Sequence, residues 1–329
     1  MIGAGLAADR KMANHFDYAT HAQVLRDHPS FDWLAVVDPS PEARRAAESW
    51  GVPIVVPTVR ELPATLRPEV VVIATKPNER DPELAKLNGL KLVILEKPLA
   101  HSAKAAAALL SSFDERLVAV QVNLFRRAEA TTRSLSLGGL EDRIGDPQAV
   151  FGVYGNGLRN NAVHMIDLVR MLLGEVKKVH ALGPITLLDN ASVPGDISLP
   201  FALTLDTNVC ATLQPLDFSH YREVGLDIWG TRGRLEILQE GLLTRVSSTA
   251  PHRALETDHE IACDRAKTLS GEYSRALYSL YDNAAEWLAN GTPLVSPGTN
   301  ALTNEVVLDA VVRSANAGGT AISVTSNSF

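Results

Sequence analysis

The first 120 residues alternate short apolar runs with segments of helical periodicity. The apolar runs are too short for helices and are bounded by turn residues, so each is predicted to be a strand. The first predicted strand ends near residue 3. The others lie at 36–37, 70–74, 92–95 and 118–120. Helices are predicted between them, including 41–50 and the alanine-rich 102–112. This alternation indicates a parallel sheet with helices on both faces, a doubly wound α/β domain.

From about residue 122 the pattern changes. A helix over 128–138, a strand over 149–154 and a helix around His164 are followed by strand-like runs at 176–183, 201–205, 209–214, 223–230 and 233–238. Consecutive strands joined by short turns predict a mostly antiparallel, open sheet. Helices over 274–290 and 300–316 and a strand over 321–324 end the pattern. We predict a Rossmann domain over 1–121 and an α+β domain over 122–329, whose last helix and strand can pack back toward the first.

Composition narrows the class of protein. A chain of 329 residues suggests two domains, and a hydrophobic content of 46% disfavours disorder. No apolar run is long enough to cross a bilayer, and the start lacks a signal peptide's basic residues. A net charge of −7 without a basic run argues against nucleic-acid binding. Cys210 and Cys263 are isolated, so we expect a cytoplasmic protein without disulfides, bound metal or membrane contact.

A glycine motif stands at the start of the chain. Gly3, Gly5 and Ala8 form a Gly-x-Gly-x-x-Ala pattern. The first glycine permits a tight turn, the second lets a pyrophosphate approach the backbone, and the small third residue permits close helix–strand packing. The backbone N–H groups of these residues and of Leu6 are predicted to face the pyrophosphate at a helix N-terminus.

An acidic residue closes the second predicted strand. Asp38 follows the apolar run 33–37, where a carboxylate would hydrogen-bond the adenosine ribose hydroxyls and repel a 2′-phosphate. NAD is therefore the predicted cofactor. Arg44 and Arg45 follow closely and keep NADP open as an alternative, since an arginine there can accept a 2′-phosphate.

Glu96-Lys97-Pro98 directly follows the buried run 92–95. In open α/β sheets, ligands bind at the carboxyl ends of the strands. A lysine that is desolvated there has a lowered pKa and becomes a usable proton donor or acceptor. An isolated Glu-Lys pair would be read as a solvated ion pair. The glycine motif and Asp38 change that interpretation in favour of a nicotinamide site.

Together with the segment 157–168, these residues resemble the Gfo/Idh/MocA family of nicotinamide-dependent oxidoreductases, and the likeness covers nearly the whole chain. In 157–168, His164 is followed three residues later by Asp167, similar to the family's catalytic helix. The resemblance implies an NAD(P)-dependent dehydrogenase or reductase acting on CH–OH groups of a sugar, inositol or nucleotide-sugar. The segment 154–158 looks like members that act on surface-polysaccharide sugars. The antiparallel sheet resembles the family's dimerisation surface, which implies a homodimer or homotetramer.

The resemblance also implies site residues. Thr75, Pro77 and Asn78 would touch the middle of the cofactor, and Glu96, Lys97 and Asn123 would flank the nicotinamide ribose and ring. Asn160 lies four residues before His164, on the same predicted helical face. Its amide cannot act as a base. Proton transfer to or from the substrate hydroxyl is therefore assigned to Lys97 and His164. The candidate substrate contacts are Asn160, Asn161, Arg126, Tyr154, Asn156, Arg159 and Asp167. Asp167 alternatively orients the His164 ring or caps structure.

Three features depart from the family pattern. Only Met1 and Ile2 precede the glycines, so either the start codon is miscalled or the domain tolerates a truncated central strand at a cost in stability. Residues 9–20 look like an insertion, and Glu79, Arg80 and Asp81 stand near the place of a histidine that relatives carry. Six histidines have no partner at motif spacing and receive no role: His21, His101, His180, His220, His252 and His259.

Two further functions stay open at this point. The chain could be a non-catalytic, NAD-binding regulator that senses a metabolite, although Lys97 and His164 argue against it. It could also be a redox-neutral lyase or glycosidase that uses bound NAD transiently. The fold alone does not separate these activities.

Overall fold

The structure is a computed structural model and describes residues 1–3, 16–80, 87–189 and 191–324. The chain divides into two compact units. The first unit comprises Met1–Ala128 and Ser274–Leu302, and the second comprises Glu129–Tyr273 and Thr303–Phe329. The segment that returns to the first unit contains the predicted helix 274–290, whereas the last strand pairs within the second unit.

The first unit is built of parallel strands and helices. Its strands are β1 (Ala35–Val37), β2 (Ile54–Val56), β3 (Val70–Ile73), β4 (Leu92–Leu95) and β5 (Ala119–Val122). Helices in the described part of this unit include α1 (His21–Asp27), α2 (Pro41–Glu48), α3 (Ala103–Asp114) and, from the returning segment, α7 (Ala276–Asn290). Thr20, Ser40 and Ser102 cap α1, α2 and α3 by accepting backbone N–H groups of the first turn, as short hydroxyl side chains at helix starts do.

The short N-terminal segment occupies the centre of this sheet. Ile2 makes parallel bridges to Val37 on one side and Ile73 on the other. Its N–H donates to Val72 O at 2.8 Å, and Ala74 N–H donates to Ile2 O at 2.8 Å. The pair β1–β2 is thereby joined to β3–β4–β5, giving the strand order of a Rossmann sheet with Ile2 at its centre.

Strand β4 is buried on both faces, as its unbroken apolar pattern predicts. Val93 and Leu95 pack in one cluster with Phe113 of α3. Leu92 and Ile94 pack on the other face with a cluster that includes Leu280 and Tyr281 of α7. Glu96 and Lys97 therefore follow directly on a strand that is packed on both faces.

The second unit contains a ten-stranded sheet. The elements up to residue 205 are α4 (Ala130–Ser134), α5 (Leu140–Ile144), β6 (Pro147–Gly155), α6 (Val163–Leu173), β7 (Val176–Ala181), β8 (Thr186–Leu187), β9 (Ile197–Ser198) and β10 (Phe201–Leu205). Those that follow are β11 (Cys210–Leu216), β12 (Gly225–Gly230), β13 (Gly233–Leu238), β14 (Leu243–Pro251), β15 (His259–Ile261), β16 (Lys267–Leu269) and β17 (Ile322–Ser323). Helix α8 (Gly298–Asn316) begins before the Leu302–Thr303 boundary and continues into this unit.

The sheet runs in the order β15-β14-β13-β12-β6-β11-β10-β7-β17, with β16 beside β14. Every pair is antiparallel except β6 with β11. Side chains of α6, including Ile166 and Val169, share a core with Leu203 and Leu213 of the sheet. On β6 the burial alternates, and Phe151 on the outward face keeps 42% of its surface exposed.

The predicted fold class is confirmed: parallel Rossmann strands come first and a mostly antiparallel sheet follows. Six strands were not predicted: β2, β8, β9, β14, β15 and β16. Strand β2 is only three residues long and half-buried, and β14 alternates too weakly to stand out from its neighbours. Across the described residues, no helix is both long and apolar enough to span a membrane.

Candidate active site

The carboxyl edge of the first unit's sheet brings together residues that are far apart in sequence. Gly3 follows the central segment, Asp38 follows β1, Thr75 follows β3, Glu96 follows β4 and Asn123 follows β5. Because parallel strands end at the same edge, five predicted cofactor residues share this edge. Gly5, Leu6 and Ala8 lie outside the described residues.

Gly3 adopts a left-handed backbone with φ of 85°. A Cβ at this position would lie 3.0 Å from Thr75 Cγ2 and 3.1 Å from the backbone carbon of Ala74. A larger residue would therefore be strained and would collide with the turn after β3. The predicted reason for the first glycine of the motif, a tight turn, agrees with this geometry.

Asp38 is buried at the end of β1. Its Oδ1 accepts the Ser40 N–H at 2.8 Å. Arg44 donates to the carbonyl oxygens of Asp38 and Pro39, both at 2.8 Å. Arg44 thus serves the turn that carries Asp38, which weakens the argument that it marks a 2′-phosphate site.

Two buried polar atoms at this edge lack hydrogen-bond partners among the described residues: Thr75 Oγ1 and Asn123 Oδ1. Buried polar groups are normally satisfied, so such atoms indicate a ligand or water. Pro77 and Asn78 lie on the single 3₁₀ turn that follows Thr75. A hydroxyl and an amide oxygen suit the ribose and amide groups of a dinucleotide, so the residues present fit the predicted cofactor.

Glu96 lies at the centre of a polar network in the first unit. Its Oε1 accepts Asn123 Nδ2–H at 2.7 Å and lies 2.9 Å from His21 Nε2. An ionised carboxylate only accepts hydrogen bonds, so His21 Nε2 donates. His21 Nδ1 lies 2.7 Å from the hydroxyl of Tyr281 on α7.

The network changes the electrostatics of Glu96. Burial by itself would raise the pKa of the Glu96 carboxyl. Hydrogen bonds from His21 and Asn123, together with the charges of His21 and Lys97, outweigh burial and hold the pKa of Glu96 below its usual range. Burial, and then the charge of Glu96, raise the pKa of Tyr281 well above its usual value. Glu96 is thus held ionised beside Lys97, and Tyr281 is held neutral.

The turn that carries Lys97 is held through its backbone by Arg80. The Arg80 Nη2 donates to the carbonyl oxygens of Glu96 at 2.9 Å and Pro98 at 2.8 Å, and its Nη1 donates to that of Leu99. The Lys97–Pro98 peptide bond is cis. Lys97 is half-buried, whereas Pro98 and Leu99 are buried.

In the second unit, a π-helical turn (Leu158–Ala162) leads into α6. The buried carboxylate of Asp196 accepts the N–H of Arg159 at 3.1 Å and of Asn160 at 3.0 Å. Gly157 lies under it with φ of 101°, and a Cβ there would come within 2.1 Å of Asp196 Oδ2. The carboxylate thus supplies the cap that the start of this helix requires.

The prediction of regular α-helical spacing between Asn160 and His164 is wrong at its start. Asn160 lies in the π-helical turn, where Ala162 N–H donates to Gly157 O five residues earlier at 3.1 Å. His164 lies on the regular helix α6 with 8% of its surface exposed.

Asp167 is buried on α6 and accepts Asn304 Nδ2–H at 2.9 Å. Asn304 Oδ1 in turn accepts from Arg170 at 2.5 Å. This chain of contacts favours a structural role for Asp167 over the predicted substrate contact.

The remaining candidate substrate residues differ in their surroundings. Tyr154 is fully buried, and its hydroxyl donates to Leu199 O at 2.6 Å. Arg159 forms ion pairs with Glu305 at 2.6 Å and Asp309 at 2.8 Å. Arg126 belongs to the first unit, is buried, and stacks its guanidinium over Phe125. These placements favour structural roles.

Three amides near the start of α6 remain as candidate substrate contacts. Asn156, Asn160 and Asn161 are all half-buried. Asn161 Nδ2 is buried without a hydrogen-bond partner among the described residues. Amide groups of this kind can both donate to and accept from sugar hydroxyls.

Sequence reasoning missed His21, Tyr281, Arg80 and Asp196. His21 is 75 residues from Glu96 and 260 from Tyr281, and Asp196 is 36 residues from Asn160. No local spacing signals such contacts. Of the four, Arg80 alone was connected with the site in the sequence, because it stands near the place of a histidine that relatives carry.

Comparison with protein families identifies the class. Residues 1–124 match the model described as "Oxidoreductase family, NAD-binding Rossmann fold", of the Gfo/Idh/MocA group. Residues 140–236 match the Gfo/Idh/MocA C-terminal domain. The two models together cover well over half of the chain, so the protein belongs to the Gfo/Idh/MocA oxidoreductase family and is an enzyme of the NAD-binding type. The predicted family and cofactor are thereby confirmed.

Solved structures share the fold. A levoglucosan dehydrogenase in complex with NADH and levoglucosan is 18% identical, covers 98% of both chains and has a TM-score of 0.74. The WlbA dehydrogenase from Bordetella pertussis, in complex with NADH and UDP-GlcNAcA, is 20% identical over 89% of this chain and 90% of its own, with a TM-score of 0.68. An Agrobacterium radiobacter oxidoreductase with NAD+, L-tartaric acid and magnesium is 17% identical over 88% and 90%, with a TM-score of 0.68. Curated protein sequences give no match.

Proposed function

We propose that this enzyme transfers a hydride between NAD and a hydroxyl-bearing or carbonyl carbon of a sugar, an inositol or a nucleotide-linked sugar. The observation that carries this proposal is the edge formed by Thr75, Glu96 and Asn123 beside Lys97. It combines two buried atoms that have no hydrogen-bond partner in the described parts of the chain with an ionised carboxylate next to a lysine. The levoglucosan and UDP-GlcNAcA complexes of proteins with the same fold support a sugar-like substrate.

The cofactor residues have distinct tasks in this proposal. The turns at Gly3 and Thr75 and the ribose-binding Asp38 hold the dinucleotide, and Glu96 and Asn123 flank the nicotinamide ribose. Bound nicotinamide supplies the hydride acceptor or donor. The Asp38 carboxylate repels a 2′-phosphate, so NAD is preferred over NADP.

The substrate residues carry out the proton chemistry. Lys97 and His164 take up or deliver the proton of the reacting hydroxyl, as general acid–base catalysis requires. Asn156, Asn160 and Asn161 bind other hydroxyls of the substrate. Asp196 holds the turn on which two of these amides lie.

The test combines cofactor binding with turnover. NAD(H) and NADP(H) are titrated by calorimetry, and a panel of sugars, inositols and nucleotide-sugars is screened for NADH formation or consumption. Lys97→Met should retain NADH binding and lower kcat by about 100-fold or more, whereas the control Lys104→Met, at an exposed position of α3, should not. Unchanged turnover in Lys97→Met would remove the lysine from the mechanism.

The cofactor preference has its own test. Asp38→Ala should raise the affinity for NADP(H) relative to NAD(H), while the exposed control Asp114→Ala leaves the ratio as it is. Tight NAD binding with no turnover on any compound would favour the regulator. NAD that stays bound and is not consumed during turnover would favour a redox-neutral lyase or glycosidase.

We also propose that the enzyme is a cytoplasmic homodimer or homotetramer. The outward face of the second unit's sheet supports this assembly, because Phe151 is exposed there and lies opposite Asp227 and Thr212 in the ladder. Light scattering of the wild type and of Phe151→Arg tests it. A monomeric wild type would contradict the assembly.

A further inference from the structure

The turn Glu96–Leu99 leaves the sheet just after the last ladder contact of β4. Glu96 N–H still donates to Ile73 O at 2.9 Å. The carbonyl groups that follow have left the ladder. Pro98 and Leu99 are buried, and buried carbonyl groups require hydrogen-bond donors.

Arg80 supplies these donors from one guanidinium. It contacts the carbonyl oxygens of Glu96, Pro98 and Leu99, which lie on both sides of Lys97 in the chain. A guanidinium is planar and rigid, so one group that binds three carbonyl oxygens fixes them relative to one another. A lysine ammonium at position 80 would be a single point charge on a flexible stem and would not impose that geometry.

The side chain of Glu96 is held separately. His21 and Asn123 donate to its carboxylate, from α1 and from the end of β5. The turn is therefore held twice, by Arg80 through the backbone and by these two residues through a side chain. Lys97 lies between the carbonyl groups that Arg80 holds.

We propose that Arg80 is a positioning residue that sets the location of the Lys97 ammonium. This inference rests on the proposed function, in which Lys97 transfers the proton of the substrate. Arg80 acts on the turn through three backbone carbonyl oxygens. Its removal would let the turn relax and displace the ammonium, and a displacement of about 1 Å is enough to lower a rate by roughly 100-fold.

The first experiment observes Lys97 without using the reaction. Lysines are reductively methylated with ¹³C-formaldehyde, and the dimethyl signal of Lys97 is assigned with Lys97→Arg. In Arg80→Met, this signal should shift or broaden and its titration midpoint should move. Arg67→Met is the matched control, because Arg67 also donates to two backbone carbonyl oxygens, those of Ala64 and Leu66, in an exposed loop of the same unit. A Lys97 signal that is identical in wild type and Arg80→Met would overturn the proposal.

The second experiment separates positioning from stability. In Arg80→Met, kcat should fall by about 100-fold while the Kd for NADH changes by less than about threefold, and Arg80→Lys should recover only part of the loss. Arg80→Lys also keeps the test decisive if Arg80→Met does not fold. Equal kcat in wild type and both variants would refute the role of Arg80. A wild type without NAD-dependent turnover on the substrate panel would instead refute the proposed function, and the Lys97 signal would still decide the placement by Arg80.

Discussion

The two candidate proton-transfer residues are held in different ways. Lys97 lies on an irregular turn that is fixed by side chains from distant parts of the chain, His21, Arg80 and Asn123. His164 lies within the regular helix α6, whose own backbone hydrogen bonds hold it. Asp196 fixes the start of the helix, and apolar side chains such as Ile166 and Val169 pack it against the sheet. The turn is placed by a few polar contacts from distant residues, whereas the helix is placed by its own backbone, its cap and its apolar face.

The largest expected effect concerns His164. His164→Asn keeps a polar side chain of similar size but removes acid–base chemistry near neutral pH. We expect kcat to fall by about 100-fold to 10,000-fold. The Kd for NADH should stay nearly constant, because every predicted cofactor residue belongs to the first unit. A variant with wild-type kcat would leave Lys97 as the sole proton-transfer candidate of the two.

The next effect tests the cap. Asp196→Ala removes the acceptor of the N–H groups of Arg159, Asn160 and Ile197 in a buried position. The free energy of unfolding should fall by about 2–3 kcal/mol, as measured by urea denaturation. Asp264→Ala, at a position whose side chain is 65% exposed, should change it by less than about 0.5 kcal/mol. Equal stability of the two variants would show that the π-helical turn does not depend on Asp196.

A smaller effect follows from the charge of Glu96. Its pKa in the folded protein lies below its usual value, so the ionised carboxylate stabilises the fold above the pKa of the unfolded state, about 4.5. This contribution is lost as the pH falls through the folded-state pKa. The stability difference between wild type and Glu96→Gln, measured by urea denaturation from pH 7 downward, should therefore shrink below about pH 4.5. A difference that grows as the pH falls would contradict the assigned network.

The smallest effect concerns the outer end of that network. Tyr281→Phe removes the hydroxyl that lies 2.7 Å from His21 Nδ1 and leaves the ring packing in place. We expect a loss of about 1 kcal/mol in the free energy of unfolding. Tyr221→Phe is the control, since Tyr221 is 63% exposed and should lose nothing measurable. If Tyr281→Phe is as stable as wild type, the Tyr281–His21 hydrogen bond contributes nothing net.

Much of the first unit was predictable from sequence. Strands β1, β3, β4 and β5 read as short apolar runs because both faces of a parallel sheet are buried. The ends of those runs located Asp38 and Glu96, and the family resemblance added Thr75 and Asn123 at the same edge. The predicted helix around His164 was also correct, apart from its π-helical start.

The fold class, the family and the edge on which the cofactor residues lie followed from the sequence by itself, since apolar periodicity and short motifs are local signals. Only the tertiary structure showed which residues hold the candidate catalytic groups in place. His21 and Tyr281 are 260 residues apart, and Arg80 contacts carbonyl groups 16–19 residues away. The structure also showed that Tyr154 and Arg159 serve internal contacts. The physical reason is that hydrogen bonds between distant residues depend on where the backbone brings each side chain, and residue type and spacing do not encode that position.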